Sequence, residues 1–219
     1  MGWWSRVARP ADRPKQSFDP ARMPMPDWHL VQREPLAAYW RDRAGDVITL
    51  THIPEPSELP SLSDEEALRC YCRETAEEQS AGLIEVATVE GAEGRGLTYV
   101  YKRPDATRMM FFGVAETLVV HGKWLWMVIA KEKNVTGVRE AVVTAKLFAA
   151  GQVTDESYET SFARDPYAPG YAGVDQRALR FMSDAEEYDA DFPDHELSKV
   201  RRELRRVVNI PIPLRPIRA

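Results

Sequence analysis

Met109-Met110-Phe111-Phe112-Gly113-Val114-Ala115-Glu116-Thr117-Leu118-Val119-Val120-His121-Gly122-Lys123-Trp124-Leu125-Trp126-Met127-Val128-Ile129-Ala130 is a long apolar stretch broken by one turn-forming dipeptide. Aromatic and β-branched residues favour a pleated strand, and His121-Gly122 suits a two-residue turn. The stretch therefore predicts a β-hairpin, with strands over 109–120 and 123–130. The runs Met109–Phe112 and Trp124–Met127 do not alternate with polar residues. Such runs read as strands covered on both faces. The alternative reading is one open face, where Met110, Phe112, Trp124 and Trp126 would line a groove for an apolar partner, Met adapting and Trp anchoring.

Upstream, 83–90 and 97–102 are two further strands joined by the glycine-rich 91–96. A phosphate cradle needs a helix after its glycines; here a strand follows, so this is a hairpin loop. Ser63-Asp64-Glu65-Glu66 reads as a capping box, with Ser63 as the cap, that opens a helix to about Ser80, with Ala67, Leu68, Tyr71, Cys72, Thr75 and Ala76 on one face. Earlier still, Trp28–Val31, Leu36–Arg41 and Asp46–Ile53 are strand candidates, closed off by Pro54, Pro56 and Pro60.

Downstream, Asn134–Ala150 is a helix whose stripe of Val138, Ala141, Val142, Ala145, Phe148 and Ala149 predicts close packing on a sheet. Residues 152–195 are acidic and aromatic with little periodicity. Glu196–Val208 is an amphipathic helix, with Leu197, Val200, Leu204 and Val207 on one side and Lys199, Arg201, Arg202, Arg205 and Arg206 around the rest. Pro211, Pro213 and Pro216 make an extended tail. The organisation expected is a flexible basic arm over 1–25, an α/β/α sandwich over 26–151, and an extension over 152–219. The fold class is α+β: an antiparallel sheet of six or seven strands between helices, with a C-terminal wrapping extension.

The 219 residues carry a net charge of −5, which is a near-cancellation: 152–195 hold −8 and 196–219 hold +5. The acids before the basic helix read as its neutralising neighbours, so no specific nucleic-acid partner is expected. No apolar run is long enough to cross a membrane. Cys70 and Cys72 follow no secretory signal, which points to reduced thiols and a cytoplasmic location. His29, His52, His121 and His195 lack the i+3 or i+4 partners of a helix-borne metal pair, and no second Cys pair exists. Neither a metal site nor a cofactor is expected. No nucleophile elbow or catalytic cysteine signature occurs.

This element order, with Trp28-His29-Leu30 at its start, the 63–80 helix and the 138–149 helix, resembles the PsbP-like α/β/α sandwich over roughly 26–151. That group takes in the Ran-binding Mog proteins and bacterial DcrB-like domains, some of which chaperone secreted toxins. The resemblance implies binding rather than catalysis. The expected function is a non-enzymatic protein-binding or adaptor role, with Met110, Phe112, Trp124, Trp126, Arg201 and Arg205 as partner-binding candidates. Two alternatives stand beside it. One is an enzyme or small-ligand protein with a pocket between sheet and extension, using His195 with nearby acids. The other is an immunity or antitoxin protein.

Overall fold

A computed structural model describes residues 16–54, 59–120, 122–133, 137–154, 163–168, 170–171 and 173–216. β1 (Gln16–Phe18) pairs antiparallel with β9 (Leu214–Pro216). β2 (His29–Arg33), β3 (Ala37–Arg41), β4 (Val47–Ile53), β5 (Gly82–Gly91), β6 (Gly94–Asp105), β7 (Arg108–Val119) and β8 (Gly122–Lys131) form one sheet. Its order is β2-β3-β4-β8-β7-β6-β5, and every pairing is antiparallel. The chain runs β2 to β4 as a meander, crosses with helix α1 (Glu65–Glu78) to the far edge, and meanders back so that β8 lands beside β4. The apolar hairpin is thus β7–β8, at the centre of the sheet. His121 of its predicted turn lies outside the described residues; Gly122 has φ +121°, a conformation that favours glycine. The fold class is as the sequence predicts.

α1 covers one face with Leu68, Cys72 and Ala76, over Leu83, Leu97, Tyr99, Phe112 and Leu125. Its cap is Asp64, whose carboxylate accepts from the Ala67 amide at 3.0 Å. Ser63 is not the cap, because its hydroxyl is hydrogen-bonded to that of Ser61 at 2.8 Å. Cys72 is buried and Cys70 exposed, both unpaired. Burial pushes the Cys72 thiol up.

The other face is covered by α3 (Glu196–Val207), whose Leu197, Val200, Leu204 and Val207 pack on Phe111, Ala115, Trp124, Trp126 and Val128. Gly113 makes the close approach possible: a Cβ there would lie 2.8 Å from Val200 Cγ1. Phe18, Met23 and Met25 join the same core, as do Ile210 and Ile212. The boundaries expected at 26 and 151 therefore do not separate units. Residues 16–25 are part of the folded body rather than an arm, and the post-151 helix is one of the two layers. A two-faced sheet leaves no choice here, because each apolar side chain shielded by α3 is worth about 1.5–3 kcal/mol.

α2 (Val138–Ala149) corrects a second expectation. It turns Arg139, Val143 and Leu147 inward and leaves Val138 at 48% and Val142 at 40% exposure. Its inner row packs on Met182, Tyr188 and Phe192 of the 182–192 segment, not on the sheet. The apolar stripe misled because periodicity counts an arginine as an outward residue. This arginine makes four hydrogen bonds inside.

Candidate functional site

Trp124 and Trp126 are 4% and 3% exposed. Trp124 meets Phe18 edge-on at 5.2 Å between ring centres, and Trp126 lies against Trp40 at 5.9 Å. Phe112 is buried and stacks on Tyr101 at 4.8 Å. These three side chains line no groove: α3 and β1 cover the tryptophans, and the α1 face covers Phe112. Met110 is half-buried, with its sulfur 3.9 Å from the Arg103 guanidinium. On that α1 face, Leu125 is buried while Met127 and Ile129 keep partial exposure.

The remaining two candidates, Arg201 and Arg205, do meet at one place. A cleft of about 300 Å³ opens between α3 and the β5–β6 edge of the sheet. Its floor is Ala87, Val89, Val100, Leu204 and Val208, and its rim is Glu85, Arg201, Glu186 and Arg205. Arg201 is 1% exposed and donates to both Glu85 oxygens from Nε at 3.0 Å, and to the Asp184 carbonyl from Nη2 at 2.6 Å. It is a structural anchor. Arg205 is exposed and paired with Glu186.

β5 is an edge strand. The Val86 N–H donates to the Tyr167 hydroxyl at 2.9 Å, so it points away from β6. Strand alternation carries the N–H groups of Thr88 and Glu90 to the same outer side. Both residues are exposed, as is Ala87. An edge of backbone donors and acceptors thus borders an apolar cleft.

The extension is held by buried charge. Arg139, 0% exposed, donates to the Ser183 carbonyl (2.7 Å), the Ala185 carbonyl (2.9 Å), Ser198 Oγ (2.8 Å) and Asp189 Oδ1 (3.0 Å). Asp189 Oδ1 also accepts from Arg201 Nη1 at 2.9 Å. Lys102 pairs with Asp184 at 2.6 Å, both 1% exposed or less. Of the α3 cations, Arg201 and Arg205 pair with acids of the 152–195 segment, Asp189 and Glu186; Lys199 pairs instead with Asp42 and Asp46 before β4, and Arg206 with Glu203 on its own helix.

One cluster was invisible in the sequence. Glu132, just past β8, Glu140 on α2 and His195 at the cap of α3 bring ligand-type atoms within 4.8 Å of one another. His195 Nδ1 accepts from the Leu197 amide at 3.1 Å, and its ring sits edge-on to Phe111. Its Nε2 is buried, without a hydrogen bond, and 3.9 Å from Glu132 Oε1. Glu140 Oε2 is likewise buried and unbonded. Burial, with Arg139 nearby, lowers the His195 pKa to about 4. Burial raises both glutamates; the negative charge of Glu140 and Glu196 adds to the rise at Glu132, and that of Asp184 to the rise at Glu140. His195 was a candidate, but its acids come from 132 and 140, on other elements, and not from the acidic run beside it. Separations of 8 and 55 residues carry no motif.

Among the described residues, no helix is long and apolar enough to cross a membrane. No protein-family model matches the chain. No curated protein matches it either. Among solved structures, the Saccharomyces cerevisiae Ran-binding protein Mog1p superposes with a TM-score of 0.39 at 11% identity, covering 55% of this chain and 75% of that one. A Mog1 point mutant gives 0.37 at 11% identity, covering 56% and 76%. Both scores lie below 0.5, so the likeness bears on neither family nor function.

Proposed function

We propose that the protein is a non-enzymatic binding module that takes an extended segment of a partner protein along β5, with the segment's apolar side chains in the cleft beside α3. The observation that carries this reading is the juxtaposition of an outward-facing backbone edge at 88–90, beyond the Val86 amide that Tyr167 occupies, with an apolar floor. An edge strand offers main-chain hydrogen bonds to an added strand, and pockets for alternate side chains supply selectivity. At about 300 Å³ the cleft is at the bottom of the range of roughly 300–1,000 Å³ that small-molecule sites occupy, which suits side chains better than a whole cofactor. A binding role agrees with what the PsbP-like resemblance of the sequence implies.

The test is selection of short random peptides from a display library against the full chain, followed by binding to Thr88→Pro. Proline there removes an N–H that β6 does not use, so the sheet survives while strand addition is blocked. Selected peptides should alternate apolar and polar residues and lose at least tenfold in affinity for the variant. Failure to enrich any peptide, or equal affinity for a folded Thr88→Pro protein, would refute the reading.

A further inference from the structure

The residues that strand addition does not use include one side-chain set with unsatisfied ligand atoms. We propose that Glu132, Glu140 and His195 form a binding site for one divalent first-row metal ion of the zinc class, which ties β8, α2 and α3 together.

Two carboxylates and one imidazole make a mixed oxygen–nitrogen set, which suits zinc and its first-row neighbours rather than calcium or magnesium. Three protein ligands leave a fourth position for water, a common arrangement for zinc. The three atoms already converge within 4.8 Å. A shared ion about 2.0–2.2 Å from each would draw them roughly an ångström closer. Two of the three, His195 Nε2 and Glu140 Oε2, are buried without a hydrogen-bond partner. Buried polar atoms are almost always satisfied, so such orphans ask for a ligand. The cations around the cluster are already engaged: Lys102 with Asp184, and Arg139 with Ser183, Ala185, Ser198 and Asp189. Two neighbouring carboxylates are thus left without a direct counter-ion.

The cap imposes a condition. While Nδ1 accepts from Leu197, the imidazole proton sits on Nε2. A metal needs the Nε2 lone pair, so the proton must move to Nδ1 and the Leu197 hydrogen bond must open. Metal binding therefore exchanges one cap hydrogen bond for one coordination bond and registers at the first turn of α3.

The experiment uses the full chain, stripped with a chelator, carrying Cys70→Ser to remove the exposed thiol. Zinc chloride is titrated calorimetrically, cobalt(II) is followed by absorption, and the Leu197 amide by NMR. The expected result is one equivalent bound, a tetrahedral cobalt spectrum without thiolate charge transfer, and a shifted Leu197 amide. At a hundredfold excess over Kd, Tm should rise by about 5–10 °C. Glu140→Gln should stay folded and lose at least about a hundredfold in affinity. His195→Asn, which keeps a capping oxygen, should do the same. Absence of saturable binding, or binding that survives both substitutions, overturns the proposal. A Glu140→Gln protein that gains thermal stability without metal, beside a parent that binds none, would instead identify two carboxylates sharing a proton, and would also overturn it. Peptide selection at β5 is read independently, so the two proposals fail separately.

Discussion

Arg139→Met tests how firmly the segment after Gly151 is built into the fold. The substitution keeps the aliphatic stem and removes a guanidinium that is 0% exposed and makes four hydrogen bonds. Asp189 would keep Arg201 Nη1 at 2.9 Å and Ser198 Oγ at 3.0 Å, so its carboxylate is not abandoned. The carbonyls of Ser183 and Ala185 would each lose a charged donor, at about 1–3 kcal/mol per buried acceptor. Adding the weakened anion site, the loss should be about 3–5 kcal/mol, the range for breaking a buried ionic contact on one side. That is a large share of a typical stability of about 5–15 kcal/mol. At roughly 2–4 °C per kcal/mol, Tm should fall by about 6–20 °C. Urea titration by circular dichroism measures it, with Lys146→Ala as the control: the Lys146–Asp191 pair is about half exposed on both sides and should cost under about 1 kcal/mol. One cooperative transition with unchanged m is expected. A loss below 1 kcal/mol, or a biphasic curve in which the extension melts first, would refute the reasoning.

Other substitutions follow from the same packing. Gly113→Ala should cost about 1–3 kcal/mol in a urea titration, because its new methyl meets Val200 at 2.8 Å. Trp126→Ala should cost about 3–5 kcal/mol and broaden the NMR spectrum, whereas a groove-lining tryptophan would leave stability unchanged. His195 gives a pH dependence. Its folded pKa of about 4 lies below the ordinary 6.5, so the unfolded chain binds more protons between those values. Its share of stability is full above pH 6.5 and is lost as pH falls towards 4, by up to about 3 kcal/mol. The raised glutamates act in the opposite sense, so the comparison is with His195→Asn. That variant should lose less stability between pH 6.5 and 4.5 than the parent; equal losses would count against a buried neutral imidazole.

Much of the sheet was legible in the sequence because each strand carries its own signal. Met109–Val120 and Lys123–Ala130 announce a hairpin by local composition alone, and α1 is announced by the Ser63–Glu66 start and the helical spacing of Ala67, Leu68, Tyr71, Cys72, Thr75 and Ala76, although the cap is Asp64 rather than Ser63. α3 was legible as a helix with Leu197, Val200, Leu204 and Val207 on one face, but no local pattern says which surface that face meets. Met23 and Met25 sit among prolines that read as unstructured, and they enter the core only because α3 and Ile210 build a wall for them. α2 failed in the reverse sense: Arg139 is inward only because Ser183, Ala185, Asp189 and Ser198 come from 44 or more residues away. His195 meets Glu132 and Glu140 across more than 50 residues, which hides that cluster too, and Trp124 and Trp126 lie in the interior where a short sequence window cannot say what covers them.

The claim beneath both the fold and the cleft is that α3 is a layer of the sandwich and not an appendage. Native-state hydrogen exchange on the full chain tests it directly, by comparing the amides of Val200–Leu204 with those of Phe111 and Trp126. The expected result is that all of them exchange only through global unfolding, with the same free energy and the same denaturant dependence. Exchange of the α3 amides through a lower-energy opening, while Phe111 and Trp126 stay protected, would contradict it.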